Sequence, residues 1–165
     1  KLFSIPKEKV EKALKTFKPL PHRLELVGTR KGIVFYNDSL ATIPEATIAA
    51  LDILGDKVVT LIAGGFDRGV LLESLGKRIE QSSIKTLILF PTTGEKILRS
   101  MKTPAQHFFT SSMEEAVRFA YQYTPKDHIC LLSPAASSFN LFRDYKHRGE
   151  EFRKWIDHYG KEKRA

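Results

Sequence analysis

The sequence predicts an α/β fold: a Rossmann-like, doubly wound, mostly parallel sheet with helices on both faces, formed as a single domain over residues 1–165. Three observations predict it. Short continuous apolar runs recur at residues 58–63, 86–90 and 129–132, and strands that lack polar alternation are strands covered on both faces. Stretches with helical apolar spacing separate these runs. A length of 165 residues with a 42% hydrophobic share suits one domain with a real core.

The elements follow in chain order. Residues 6–17 carry Val10, Ala13, Leu14 and Phe17 at helical spacing, and Pro19-Leu20-Pro21 stops that helix. A short strand is predicted over 24–27, a turn over 28–32 and a second strand over 33–36. Thr42-Ile43-Pro44-Glu45 has the form of a capping box. The helix it opens runs through Ile48, Leu51 and Leu54 to a stop at Gly55. Ser112-Met113-Glu114-Glu115 is a second capping box, opening a helix through Tyr121. The last and longest helix is predicted from 141 to about 158, with Phe142, Tyr145, Phe152 and Trp155 among its nonpolar positions.

A net charge of +8 fits anionic partners such as nucleotides, phosphorylated sugars or acidic amino acids, and equally fits solvated helix faces. The alternation of Lys7, Glu8, Lys9, Glu11, Lys12 and Lys15 favours the second. Cys130 is the one cysteine and sits in an apolar run, as a buried small hydrophobe does; it forms no internal disulfide. Nothing approaches the apolar length that spans a bilayer, and no signal peptide is visible. The expectation is a cytoplasmic protein without a membrane partner.

In open α/β sheets, ligands bind beyond the carboxyl ends of the strands. Three loops fall there: Asn37-Asp38-Ser39-Leu40-Ala41-Thr42, Gly64-Gly65-Phe66-Asp67-Arg68-Gly69 and Ser133-Pro134-Ala135-Ala136-Ser137-Ser138. Each has a bland reading as a turn, a cap or a sharp strand exit. Three polar loops on one predicted edge favour a binding site without naming its ligand. The Gly76-Lys77 pair is not part of a P-loop, since Leu71 occupies the place of its first glycine, and Gly64-Gly65 is not a dinucleotide fingerprint. No zinc spacing and no nucleophile elbow occurs.

Four segments together resemble the third domain of the Mur ligases. They are residues 21–25, residues 36–42, residues 63–69, and residues 132–139 running on through Phe142 and Tyr145-Lys146-His147-Arg148-Gly149-Glu150-Glu151-Phe152. The resemblance covers about residues 15–160 and is best to the branch that adds glutamate to UDP-N-acetylmuramoyl-L-alanine in peptidoglycan synthesis. It implies an ATP-dependent acid–amino-acid ligase of three domains. The first holds the UDP-sugar, the second holds most of the ATP and the Mg2+ ligands, and the third brings in the amino acid. The chain resembles the third alone, and alone it is expected not to turn over.

The resemblance also implies site residues. Thr42, Arg68, Ser138 and Phe139 fall where the family holds the carboxylates of glutamate, with Tyr145 beside them. Arg23, Asn37 and Asp38 fall at the nucleotide, Arg23 toward phosphate and Asp38 toward the ribose. His22 and Arg148 stand as candidates for a catalytic part, each against a structural one. Leu40 and Arg68 occupy places where the D-glutamate branch usually and often, respectively, carries lysine. An L-glutamate paralogue and a folylpolyglutamate-synthase-like ligase are therefore the near alternatives, with D-glutamate the default. A basic module binding nucleic acid is the alternative of another class, and no nucleic-acid motif supports it.

Overall fold

The computed structural model describes residues 5–17 and 19–161. Six strands form one sheet: β1 (Glu25–Arg30), β2 (Ile33–Asn37), β3 (Val58–Gly65), β4 (Thr86–Thr92), β5 (Gln106–Phe109) and β6 (Ile129–Leu132). Their order across the sheet is β1-β2-β6-β3-β4-β5. All neighbours are parallel except the β1–β2 hairpin. The helices are α1 (Lys7–Thr16), α2 (Pro44–Leu54), α3 (Glu73–Glu80), α4 (Thr93–Arg99), α5 (Met113–Tyr123) and α6 (Tyr145–Lys161). The predicted doubly wound fold is the one observed.

The sheet sorts its residues by parity, because successive side chains in a strand point to opposite faces. Leu61, Ala63, Leu87, Leu89, Ile129 and Leu131 pack on one face, where α2, α3 and α4 lie against one another. Ile62, Ile88, Phe90, Cys130 and Leu132 pack on the other face with Met113, Val117, Phe152 and Ile156, from α5 and α6. Every residue of β3 and β6 is buried. That explains why these runs are continuous rather than alternating.

Several boundaries differ from the sequence reading. β1 continues past Gly28, where the register shifts at a bulge (φ 134°), so the turn narrows to Lys31-Gly32. Both residues have positive φ, 51° and 84°, the geometry that suits a two-residue hairpin turn to twisted strands. Thr42 does not cap α2: Ile43 is the N-cap and makes no side-chain hydrogen bond, so the first capping box is a correction. The second stands, with the Glu115 N–H donating to Ser112 Oγ at 3.4 Å. Helix α6 begins four residues later than predicted. The N–H groups of Leu141 and Phe142 turn back to the Ser138 carbonyl, and the Asp144 carboxylate accepts the His147 N–H at 2.7 Å, as an N-cap does. Helices α3 and α4 and the edge strand β5 have no counterpart among the elements that the sequence predicts.

Helix α6 meets the hairpin through a buried polar hub. The Asn37 amide oxygen accepts the Ser39 N–H at 3.1 Å. Its nitrogen therefore faces His22 Nδ1, at 3.0 Å, and His22 Nδ1 is the acceptor. Gly149 lets the helix backbone come this close: a Cβ there would stand 2.2 Å from His22 Nδ1 and 2.9 Å from Asn37 Nδ2. Burial, with the Arg153 guanidinium 3.3 Å from Nε2, holds the His22 imidazole below its ordinary value.

Two outcomes are expected. Gly149→Ala overpacks the hub and lowers stability by about 1–3 kcal/mol, read as a shift in the denaturant midpoint. His22 remains neutral in the folded chain at pH values where the unfolded chain, with its pKa of about 6.5, takes up a proton. Stability therefore falls as pH drops from about 6.5 toward the depressed folded value. His22→Gln flattens that slope in urea melts; an unchanged slope counts against the hub.

Candidate functional site

The site begins with strand register. Asn37 stands opposite Leu132, and Leu132 opposite Ile62. Three adjacent parallel strands thus end nearly in a row, and the loops after β2, β6 and β3 leave the same edge side by side. Backbone hydrogen bonds then join them. The Asp38 N–H donates to the Leu132 carbonyl at 2.8 Å, the Gly64 N–H to Pro134 at 2.8 Å, and the Phe66 N–H to Ser137 at 2.9 Å. Gly65 has φ 137° and passes so close that a Cβ would lie 2.4 Å from the Ser137 oxygen, so the glycine is required by contact as well as by conformation.

Side chains tighten the same edge. The Ser133 hydroxyl donates to Asp38 Oδ2 at 2.8 Å and lies 3.0 Å from Thr47 Oγ1. The Leu24 N–H donates to Asp38 Oδ1 at 3.0 Å. Burial pushes the Asp38 carboxyl up, and these two donors pull it back. Arg148 closes the cluster. It is fully buried and donates to Ser39 Oγ at 3.0 Å, the Ser39 carbonyl at 2.8 Å and the Ala136 carbonyl at 3.1 Å. Ser39 Oγ in turn donates to the Tyr145 carbonyl at 2.7 Å. One guanidinium therefore fixes the first loop, the third loop and the start of α6. Burial draws its pKa down to about 9, which leaves it charged at neutral pH.

Thr42 is half-buried at the end of the first loop, Arg68 is exposed on the second, and Ser138 is buried on the third. Phe66 and Ser137 form a backbone bridge, which places Arg68 and Ser138 two and one residues from a shared contact. Phe139 beside them is 71% exposed. Tyr145 is half-buried and meets His22 edge-on, with ring centroids 6.0 Å apart. In the second loop Asp67 pairs with Lys96 and accepts the Gly69 N–H at 2.9 Å. The Lys96 contact holds the Asp67 carboxyl low, so Asp67 shapes the turn that carries Arg68.

Arg23 is presented by a strained strap. Its neighbours His22 and Leu24 have φ of 64° and 44°, a costly region for such residues. Their N–H groups are held by the carboxylates of Glu25, at 2.8 Å, and Asp38, at 3.0 Å. Arg23 itself is exposed and lines a cavity of about 290 Å3 with Asp38, Leu40, Ala41 and, from α2, Ala46, Ala49 and Ile53. A cationic fork and a carboxylate in the lining of a largely apolar pocket can take up a molecule with both phosphate and hydroxyl groups.

Asn37 and Arg148 lie beneath the surface, and His22 reaches it only along a cleft. Asn37 and Arg148 are fully buried and His22 nearly so, and their polar atoms bond within the protein. They hold the strand-end loops from behind, and His22 also lines the cleft beside Tyr145. Lys146, Glu150 and Arg153, which no sequence motif singles out, line a cleft of about 510 Å3 with His22, Leu40 and Tyr145. Helical spacing from Tyr145 was the signal available. Among the described residues, no group of three or more His, Cys, Asp or Glu is placed to hold a metal ion, and no helix is long and apolar enough to cross a membrane.

Comparison with known proteins agrees with this architecture. The family model for the glutamate ligase domain of the Mur ligases matches residues 22–136. The UDP-N-acetylmuramoylalanine–D-glutamate ligase of Aquifex aeolicus is 39% identical over 150 residues, 91% of this chain and 36% of that protein. The enzyme of the same name from Caldanaerobacter subterraneus is 39% identical over 159 residues, 94% of this chain and 35% of that protein. The chain thus spans little more than a third of these relatives. Among solved structures, MurF from Acinetobacter baumannii superposes with a TM-score of 0.65 at 14% identity, over 93% of this chain and 34% of that one. MurF from Thermotoga maritima in complex with ADP gives 0.57 at 19% identity, over 92% and 37%; at such identities the likeness is one of fold. A strand-end edge built from three mutually bonded loops, a matching family model and relatives near 40% identity lead to one conclusion: the chain belongs to the Mur ligases, as their glutamate ligase domain.

Proposed function

We propose that the chain is the amino-acid-binding, carboxyl-terminal domain of an ATP-dependent ligase that adds D-glutamate to UDP-N-acetylmuramoyl-L-alanine. The observation that carries the reading is the joining of three loops at one sheet edge, with Thr42, Arg68 and Ser138 each on a different loop. Hydroxyl and guanidinium donors from three separate turns suit a small dicarboxylic acid, whose two anionic groups need donors from different directions. The names of the relatives favour the D enantiomer over the L-glutamate alternative. In this reading Phe139 and Tyr145 wall the glutamate site, and Arg23 and Asp38 meet the phosphate and ribose of ATP. The preceding domains supply the UDP-sugar site and the ligands of Mg2+, and the reaction takes place in the cytoplasm.

The chemistry is acyl activation. ATP transfers its γ-phosphoryl group to the carboxylate of the UDP-muramoyl peptide, glutamate's amine attacks the acyl phosphate, and phosphate leaves as the amide forms. This domain contributes position more than proton transfer. It fixes both carboxylates so that the amine faces the acyl carbon, and it closes on the nucleotide.

The test joins the chain to its native upstream domains and measures phosphate release with UDP-N-acetylmuramoyl-L-alanine, ATP and each glutamate enantiomer. Release with D-glutamate is expected, and none with either enantiomer removes the reading. Within that assay Ser138→Ala and Arg68→Ala raise the KM for glutamate roughly 10-fold or more, the scale of a lost charge-assisted hydrogen bond, with little change for ATP. Arg23→Ala shows the opposite split. Equal effects on both substrates mean the pocket is misplaced.

A further inference from the structure

His22 bonds to Asn37 through one ring nitrogen only, and the orientation of Asn37 decides the role of that nitrogen. The Asn37 amide oxygen accepts the Ser39 N–H at 3.1 Å, and its nitrogen faces Glu25 Oε2 and the Gly149 carbonyl, each at 3.4 Å. The reversed amide would set oxygen against those oxygens and a donor against the Ser39 N–H. Nδ1 of His22 is therefore the acceptor, and a neutral imidazole then carries its proton at Nε2. Opposite Nε2 stands Arg153 Nη2, at 3.3 Å, and a guanidinium accepts no hydrogen bond. Among the described residues, no acceptor faces this N–H. His22 is only 5% exposed, and a buried donor without an acceptor is costly.

The missing acceptor belongs in the cleft of about 510 Å3 that His22 and Arg153 line together. Lys146, Glu150 and Arg153 fall at i, i+4 and i+7 on α6, so one helix face borders it. Arg153 gives Nη1 to Glu25 Oε1 at 2.9 Å, and Glu25 also takes the His22 N–H. That carboxylate is thus committed, while Arg153 Nη2 has only the imidazole before it. Lys146 is exposed at the same cleft. Burial, Arg153 and Lys146 hold the imidazole below its ordinary value, against the pull of Glu25 and Glu150. An imidazole N–H, a guanidinium and an ammonium around one opening form a donor set for an oxyanion.

We propose that this cleft is an oxyanion site whose ligand is inorganic phosphate, held by His22 Nε2–H and Arg153 Nη2 and drawn in by Lys146. The phosphate oxygens supply the acceptors that both donors lack. Glu150 sets the choice among oxyanions. Hydrogen phosphate has a proton to donate to a carboxylate, whereas sulfate has none and meets Glu150 as repulsion alone. The cleft shares Leu40 with the cavity of Arg23 and Asp38. The site stands on this geometry. Its place in the reaction, as receiver of the phosphate released when the amide forms, rests on the ligase reading above.

NMR of the histidine ring nitrogens in the 165-residue chain tests it. In the free chain at neutral pH, His22 shows the Nε2–H tautomer; the Nδ1–H tautomer overturns the proposal. Inorganic phosphate shifts Nε2 saturably and raises the His22 pKa, because a bound anion favours the imidazolium. Arg153→Met weakens phosphate binding roughly 10-fold or more, the scale of a charge-assisted hydrogen bond. Lys146→Met, at an exposed position, weakens it roughly 2–5-fold, and decides the matter where loss of the Glu25 pair unfolds the first variant. Glu150→Gln removes the preference for phosphate over sulfate. A response to phosphate no larger than that to chloride at equal ionic strength overturns the proposal, since water is then the acceptor. Phosphate binding unchanged in Lys146→Met overturns it, as does a stronger response to sulfate or to D-glutamate. None of these readouts requires turnover, so a full-length protein that binds phosphate at His22 and releases none from ATP counts against the ligase reading alone.

Discussion

The Arg148 guanidinium carries a full charge in the interior, and its hydrogen-bond partners are two backbone carbonyls and a serine hydroxyl rather than a carboxylate. Removing a charge from water costs several kcal/mol, and a buried cation persists only where its donors meet acceptors with good geometry. Here the acceptors belong to Ser39 and Ala136, so the solvation that the ion needs is supplied by the two loops that it joins. The constraint runs both ways. The loops keep their relative position because the guanidinium holds them, and the guanidinium tolerates burial because they are there.

Around this contact the sheet does coarse positioning and the loops do fine positioning. Register among β2, β6 and β3 brings three chain reversals to one edge. Backbone bonds from Asp38, Gly64 and Phe66 then fix their spacing, and the Asp38–Ser133–Thr47 cluster ties the edge to α2. The polar side chains offered outward, among them Arg23 and Arg68, are free to select a ligand because the ones behind them are committed to structure. That division suits the role proposed for the domain, the orientation of a substrate.

The sequence was most legible where burial is two-sided. The runs around Leu61, Leu87 and Leu131 are apolar because both faces of those strands are covered, and such runs have few other readings. It was least legible where short elements depend on tertiary support. Helix α3 has only Leu75 and Ile79 as buried large apolar positions, α4 spans seven residues, and β5 is a largely exposed edge strand. Thr42-Ile43-Pro44-Glu45 has the letters of a capping box without its hydrogen bond; Asp144, which does accept an N–H at the start of α6, stood in a run whose apolar residues suggested an earlier start. In the site, the loops were legible from the strand-end rule, and the depth of their residues was not. Whether Asn37 or Arg148 faces a ligand or the interior depends on how closely α6 approaches, and that is decided by Gly149, a residue with no side chain to signal its part.

The central claim is that one buried cation holds the strand-end edge together independently of the sheet beneath it. Residue-resolved hydrogen exchange on Arg148→Met tests it most directly. The account predicts that the amides of Asp38, Leu40, Gly64 and Phe66 lose protection while those of Leu61, Ile62 and Leu89 in the sheet interior keep theirs. Uniform loss across loops and sheet, or protection unchanged at every one of these amides, would contradict it.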